Sequence, residues 1–154
     1  MAASVELVRD FIATEVKAVV PLTEAGRRFK PAPGNEPIER GPFDDKSTRT
    51  FRVVEQHDLD VVRPYGGIAM EHSQTLAVRA VYLVAKDGDK RLRQMIAEDR
   101  ELIVNRVVRA GAPFPAVLVN IVPVPGPGPQ DVGTGGANVQ IATIPFLVTY
   151  DTVP

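Results

Sequence analysis

A chain of 154 residues, 44% hydrophobic and 24% charged, has room for one core and enough apolar surface to fold it, so a single folded domain over 1–154 is expected, unlike a low-hydrophobicity disordered chain. Eighteen basic against 19 acidic residues leave a formal charge of -1, which gives no field to hold a polyanion and argues against sequence-specific nucleic-acid binding. Without cysteine there is no disulfide, thiolate metal site or cysteine nucleophile, and no run approaches the roughly 20 apolar residues of a membrane span.

Met1 to Asp10 carries Glu6 and Asp10 and no basic signal region, so the expectation is a cytoplasmic protein, neither exported nor anchored. Val5, Val8, Ile12, Val16 and Val19 then recur at steps of three and four, predicting an amphipathic helix over 4–20. Ser4 suits its N-cap and Pro21 its end. Thr23 to Ser47 holds four prolines and three glycines, which predicts a long loop at about 23–48. A loop of that length is a candidate contact arm or, equally, a floppy surface excursion, and Arg27, Arg28, Lys30, Asp44, Asp45 and Lys46 are the candidate contact residues.

Thr50 to Glu55 reads as a strand, and Gln74 to Val84 as a longer one. In the longer strand Leu76, Val78, Ala80, Tyr82 and Val84 share one face, while Ala77, Val81 and Leu83 make the other apolar too. Both faces should therefore be covered, one by a helix, while a second subunit could cover the other. Between the two strands, Val61 and Val62 suit a short strand, and Pro64 with Gly66-Gly67 a turn.

Asp87-Gly88-Asp89 turns the chain into a second helix over 90–110, lined by Leu92, Ile96, Ile103 and Val107 and stopped by Gly111. Asp89 can cap its start, and Arg106 and Arg109 complement the carbonyl end of its dipole. Strands follow over 116–122 and 138–150, separated by a Gly/Pro-rich excursion at about 123–138. Gln130, Asp131 and Asn138 are the candidate contact residues there. In the last strand the apolar parity switches near Thr143, which predicts a bulge, and Pro145 predicts an exposed edge.

Chemistry-bearing patterns are sparse. His57 and His72 stand in no metal-ligand spacing, although Asp58 and Asp60 flank His57. Gly133-Thr134-Gly135-Gly136 lacks the Lys-Ser/Thr of a phosphate loop and leads into a strand. Ser47 and Ser73 sit in no nucleophile elbow. Arg27-Arg28-Phe29-Lys30 and Lys90-Arg91-Leu92-Arg93 are short basic patches, suited to weak nucleic-acid contact or equally to an acidic protein surface. The expectation is no catalytic residue, no metal and no cofactor. A hydrolase or ligand-binding domain using His57 or His72 with Asp58 or Asp60 is the competing reading.

The predicted class is α+β, a two-layer arrangement with a mainly antiparallel sheet of about four strands, a major helix packed on it and an N-terminal helix. AVRAVYLVAK leading into KRLRQMIAEDRELIVNRVV, together with the closing IATIPFLVTYDTV, resembles the tail-terminator (tail-completion, minor tail) proteins of long-tailed bacteriophages and related tail-like particles. The resemblance covers roughly the C-terminal half. It implies a homohexameric ring that caps the tail tube, ends its polymerisation and meets the head-tail connector or neck proteins. The implied partners are the chain itself, the tube protein and those neck proteins, and the implied location is the virion, assembled in the host cytoplasm. Another neck, head-completion or baseplate adaptor of the same particle would share these features.

Overall fold

Two long strands organise the molecule, and each is half of a hairpin. The structure, a computed structural model, describes residues 4–44, 46–56, 60–64, 70–83, 89–109, 111–132 and 139–152, with 60–64, 70 and 89 described by their backbone alone. In chain order the elements are α1 (Ser4–Ala18), β1 (Lys30–Pro31), a 3-10 turn (Ile38–Arg40), β2 (Thr50–Glu55), β3 (Asp60–Pro64), β4 (Met70–Leu83), α2 (Asp89–Val107), β5 (Leu118–Pro123), β6 (Gln130–Asp131) and β7 (Val139–Thr152). The fold is α+β. Among the described residues the sheet has seven strands in the order β1-β2-β4-β7-β5, with β3 also on β4 and β6 also on β7.

The sheet is mixed, because β1 runs parallel to β2 while every other pair is antiparallel. The three strands beyond the expected four are β1 and β6, each two residues long, and β3. Two residues have no readable period, and β3 falls in the segment where only Val61 and Val62 suit a strand. Both hairpins share one plan: β2 and β3 lie along the same edge of β4, and β5 and β6 along the far edge of β7. The helix α2 links the hairpins.

The expected bulge at Thr143 is corrected by the β4–β7 ladder, which runs without a register shift from Met70↔Thr152 to Leu83↔Val139, and the expected edge at Pro145 by β5 and β6, which pair with the far side of β7. The apolar parity switches because β7 faces two different cores. Ala142, Ile144, Phe146, Val148 and Tyr150 join Val8, Ile12, Val16, Leu92, Ile96 and Ile103 beneath the helices. On the opposite face Val139 and Ile141 join Ile38 and Val81, against which Ala32, Phe43, Leu83 and Val132 pack. Each parity is thus buried where its own cover lies.

Pro145 is tolerated inside the sheet by its direction. In an antiparallel strand the N–H and C=O of one residue point the same way. The Pro145 carbonyl accepts from the Val124 amide at 3.1 Å, so its donorless nitrogen faces that side too, and the ladder to β4 loses nothing. There Gly126 comes so close that a Cβ on it would stand 2.7 Å from the Pro145 Cδ.

Candidate functional site

The expected contact arm is anchored to the domain, and the anchor is an arginine that the apolar pattern does not announce. Arg49 is wholly buried and adopts φ 66, a left-handed conformation that is costly for a side chain with a Cβ. Its guanidinium has five N–H donors, and all five are used. Nε and Nη2 grip the Asp99 carboxylate at 2.8 and 3.1 Å. Nη1 donates to the Glu24 and Arg27 carbonyls at 2.9 and 3.1 Å, and Nη2 also to the Thr23 carbonyl at 2.7 Å. The Arg49 amide donates to the Val81 carbonyl at 2.7 Å, and the guanidinium lies 5.7 Å from the Phe29 ring centroid.

Tyr82 completes the cluster by donating to Asp99 at 2.7 Å. Its hydroxyl pKa is pushed well above the usual range, first by burial and then by the Asp99 charge and hydrogen bond, which the nearby Arg49 only partly offsets. A fully satisfied buried cluster of this kind is closed to a substrate. It fixes the start of the 23–48 segment to α2 and β4. The sequence signal is Asp99 itself: Leu92, Ile96 and Ile103 define the buried stripe of α2, and position 99 lies on it where an apolar residue is expected.

A second buried carboxylate follows the same logic. Glu15 interrupts the apolar stripe of α1, is almost fully buried, and accepts from Arg109 at 2.6 Å and Arg106 at 2.8 Å. Burial alone would raise its pKa, but the hydrogen bonds and charges of the two arginines outweigh that and hold it below the ordinary value of 4.5. Arg106 and Arg109 thus pin α1 to α2.

Further along the segment, residues 32–43 fold over the second core and are held by two arginines of the sheet. Arg52 donates to the carbonyls of Glu36, Pro33 and Gly34, and Arg79 pairs with Glu39.

Four expected contact residues, Arg27, Arg28, Lys30 and Lys46, meet around a cleft of about 480 Å³ with Phe29 and Thr48. Arg28 donates to the Val19 and Ala18 carbonyls at the end of α1, and Lys30 to the Lys46 carbonyl. Asp44 lies in the adjoining turn, where its carboxylate accepts from the Lys46 amide at 2.8 Å. Asp45 lies outside the described residues.

Gln130 and Asp131 form β6, far from that cleft in the sheet order, and Asp131 accepts from Gln140 at 3.1 Å. Asn138, His57, Asp58 and Gly133–Gly136 lie outside the described residues, and Asp60 is described by its backbone only. His72 is buried on β4 against Tyr150, with 5.8 Å between ring centroids, and its Nδ1 has no hydrogen-bond partner. Ser73 follows it in the strand and so faces the opposite side of the sheet. Among the described residues no three His, Asp or Glu side chains gather as metal ligands, and no helix is long and apolar enough to cross a membrane. No known protein family matches the chain, and no curated protein does either.

Proposed function

We propose that this chain is a structural subunit of a phage tail, of the tail-terminator kind, which works through its interfaces and carries out no catalysis. In this reading copies assemble into a homohexameric ring that caps the tail tube, ends its polymerisation and offers a docking surface to the head-tail connector or neck proteins. It acts in the virion after assembly in the host cytoplasm.

The observation that carries the reading is the unlikeness of the two ends of one sheet. At the β1 end the anchored segment presents the cationic cleft of Arg27, Arg28, Lys30 and Lys46. At the far end β5 itself carries no charged residue, and Val119 and Val122 are exposed on it. Two unlike ends suit cyclic, head-to-tail assembly, in which each subunit meets its neighbours through different surfaces. The cationic cleft suits an acidic surface on the tube or neck.

Electron microscopy of the purified protein tests the proposal. Uniform six-fold rings are expected, and a chain that stays monomeric by native mass spectrometry at about 100 µM, well above the Kd of a stable interface, would sink it.

A further inference from the structure

Natural sheets guard their edges with charges, prolines, bulges or covering segments, because an edge strand offers unpaired backbone groups to any passing strand. The β1 edge is guarded: its outward residue is Pro31, which has no N–H, and the Ala32 amide continues the segment by donating to Phe51 at 2.8 Å. The β5 edge shares part of that guard, since its outward Pro123 also lacks an N–H and its register shifts between Leu118 and Asn120, but it carries no charge. No charged residue stands between Arg109 and Asp131, in a chain where nearly one residue in four is charged.

Backbone directions show which groups β5 leaves open. Odd-numbered residues of β7 point toward β5, as the Val124–Pro145 and Val117–Asp151 bonds establish. Asn120 and Val122 pair with Thr149 and Leu147, so they face inward and the Ile121 amide and carbonyl face out. No strand lies beyond them among the described residues. Beside that edge Val119 is 51% exposed, and the cross-strand pair Val122 and Leu147 is 37% exposed on each side.

The chain carries a matching half at the other end of its sheet. On β2, Arg52 and Val54 pair inward with Arg79 and Ala77, leaving the backbone groups of Val53 and Glu55 facing out beyond the short β1, with the Glu55 side chain ion-paired to Arg9 at 2.6 Å. Apolar surface is present at that end as well: Val20 and Leu22 stand exposed just past α1, where Arg28 ties the chain back beside β1.

We propose that β5 is the strand through which a second copy of this chain docks, its Ile121 backbone pairing with the Val53–Glu55 edge of that copy. The inference rests on the assembly reading above and names the surface that serves it. One copy cannot join its own two edges, which lie at opposite ends of the sheet. Two copies joined head to tail leave one open edge at each end, so addition continues until the rotation closes the ring.

The test uses the full chain in three forms: unaltered, with Val119→Lys and Val122→Lys together, and with Leu7→Lys, a control at an exposed apolar position on α1. Native mass spectrometry reads the assembly, circular dichroism checks the fold, and hydrogen exchange reads the Ile121 amide. The expected result is an assembly with Ile121 protected, weakened at least about ten-fold by the edge lysines and left within about three-fold by Leu7→Lys. A ring whose Ile121 amide exchanges freely, or one indifferent to the edge lysines, overturns this inference and leaves the ring reading standing. A protected Ile121 in a particle that stops at two copies means that β5 pairs with β5, which overturns both head-to-tail pairing and the ring. A chain that remains monomeric overturns both as well.

Discussion

The two long Gly/Pro-rich segments look alike in sequence and are held in opposite ways. Residues 23–48 are fixed by charge-assisted hydrogen bonds from Arg49, Arg52 and Arg79, two of them aimed at runs of backbone carbonyls. Residues 123–129 are held without any charged side chain of their own, by the Val124 amide donating to the Pro145 carbonyl and by the close approach of Gly126 to the Pro145 ring. Irregular backbone has polar groups to satisfy wherever it lies on a domain. Arginine satisfies several carbonyls at once, whereas a segment without charges must lie down on a neighbour, and needs glycine to do it.

That contrast breaks most severely at the buried pair. Arg49→Ala or Asp99→Ala leaves one charge uncompensated in the interior and should cost about 3–5 kcal/mol, read as a lowered urea midpoint in equilibrium unfolding. In the other segment, Gly126→Ala places a methyl against the Pro145 ring and the Thr143 carbonyl, so about 1–3 kcal/mol should be lost. Thermal melting of that variant beside Gly128→Ala, whose site is open, checks it, and equal melting would refute the close-approach account.

A smaller effect is expected from Arg52→Ala, which releases three carbonyls at the surface. Hydrogen exchange should rise across 32–43, with about 1 kcal/mol of stability lost. The least is expected from acid. Glu15 has a folded pKa below its ordinary 4.5, so the folded state binds its proton less tightly than the unfolded chain does. Its contribution is complete above about pH 4.5 and is lost as pH falls through the lower folded value. Melting temperatures between pH 6 and pH 3 should therefore drop less steeply for Glu15→Gln than for the unaltered chain.

Both helices and the four longer strands were legible because each repeats its apolar residues often enough to show a period. The ends were less so: α1 stops at Ala18 and α2 at Val107, a few residues short of where the apolar pattern runs on. The Thr143 parity switch mimics a bulge because periodicity reports burial and does not say which of two cores does the burying. The buried Arg49–Asp99 cluster is legible only in the negative. Asp99 and Glu15 stand on buried helical stripes, and a carboxylate on such a stripe implies a cationic partner, but sequence spacing does not say that Asp99 pairs with Arg49, fifty residues earlier. The grouping of Arg27, Arg28, Lys30 and Lys46 was visible as composition, and its cleft only as structure.

The unbroken ladder between β4 and β7 also sets how the molecule answers force. Its paired positions run from Met70↔Thr152 to Leu83↔Val139 without a shift. A pull along the strand axis loads all of those bonds together, in shear, while a pull across it would open them one after another like a zipper. The domain is therefore stiffest along the direction of its two longest strands and most easily peeled at right angles to them.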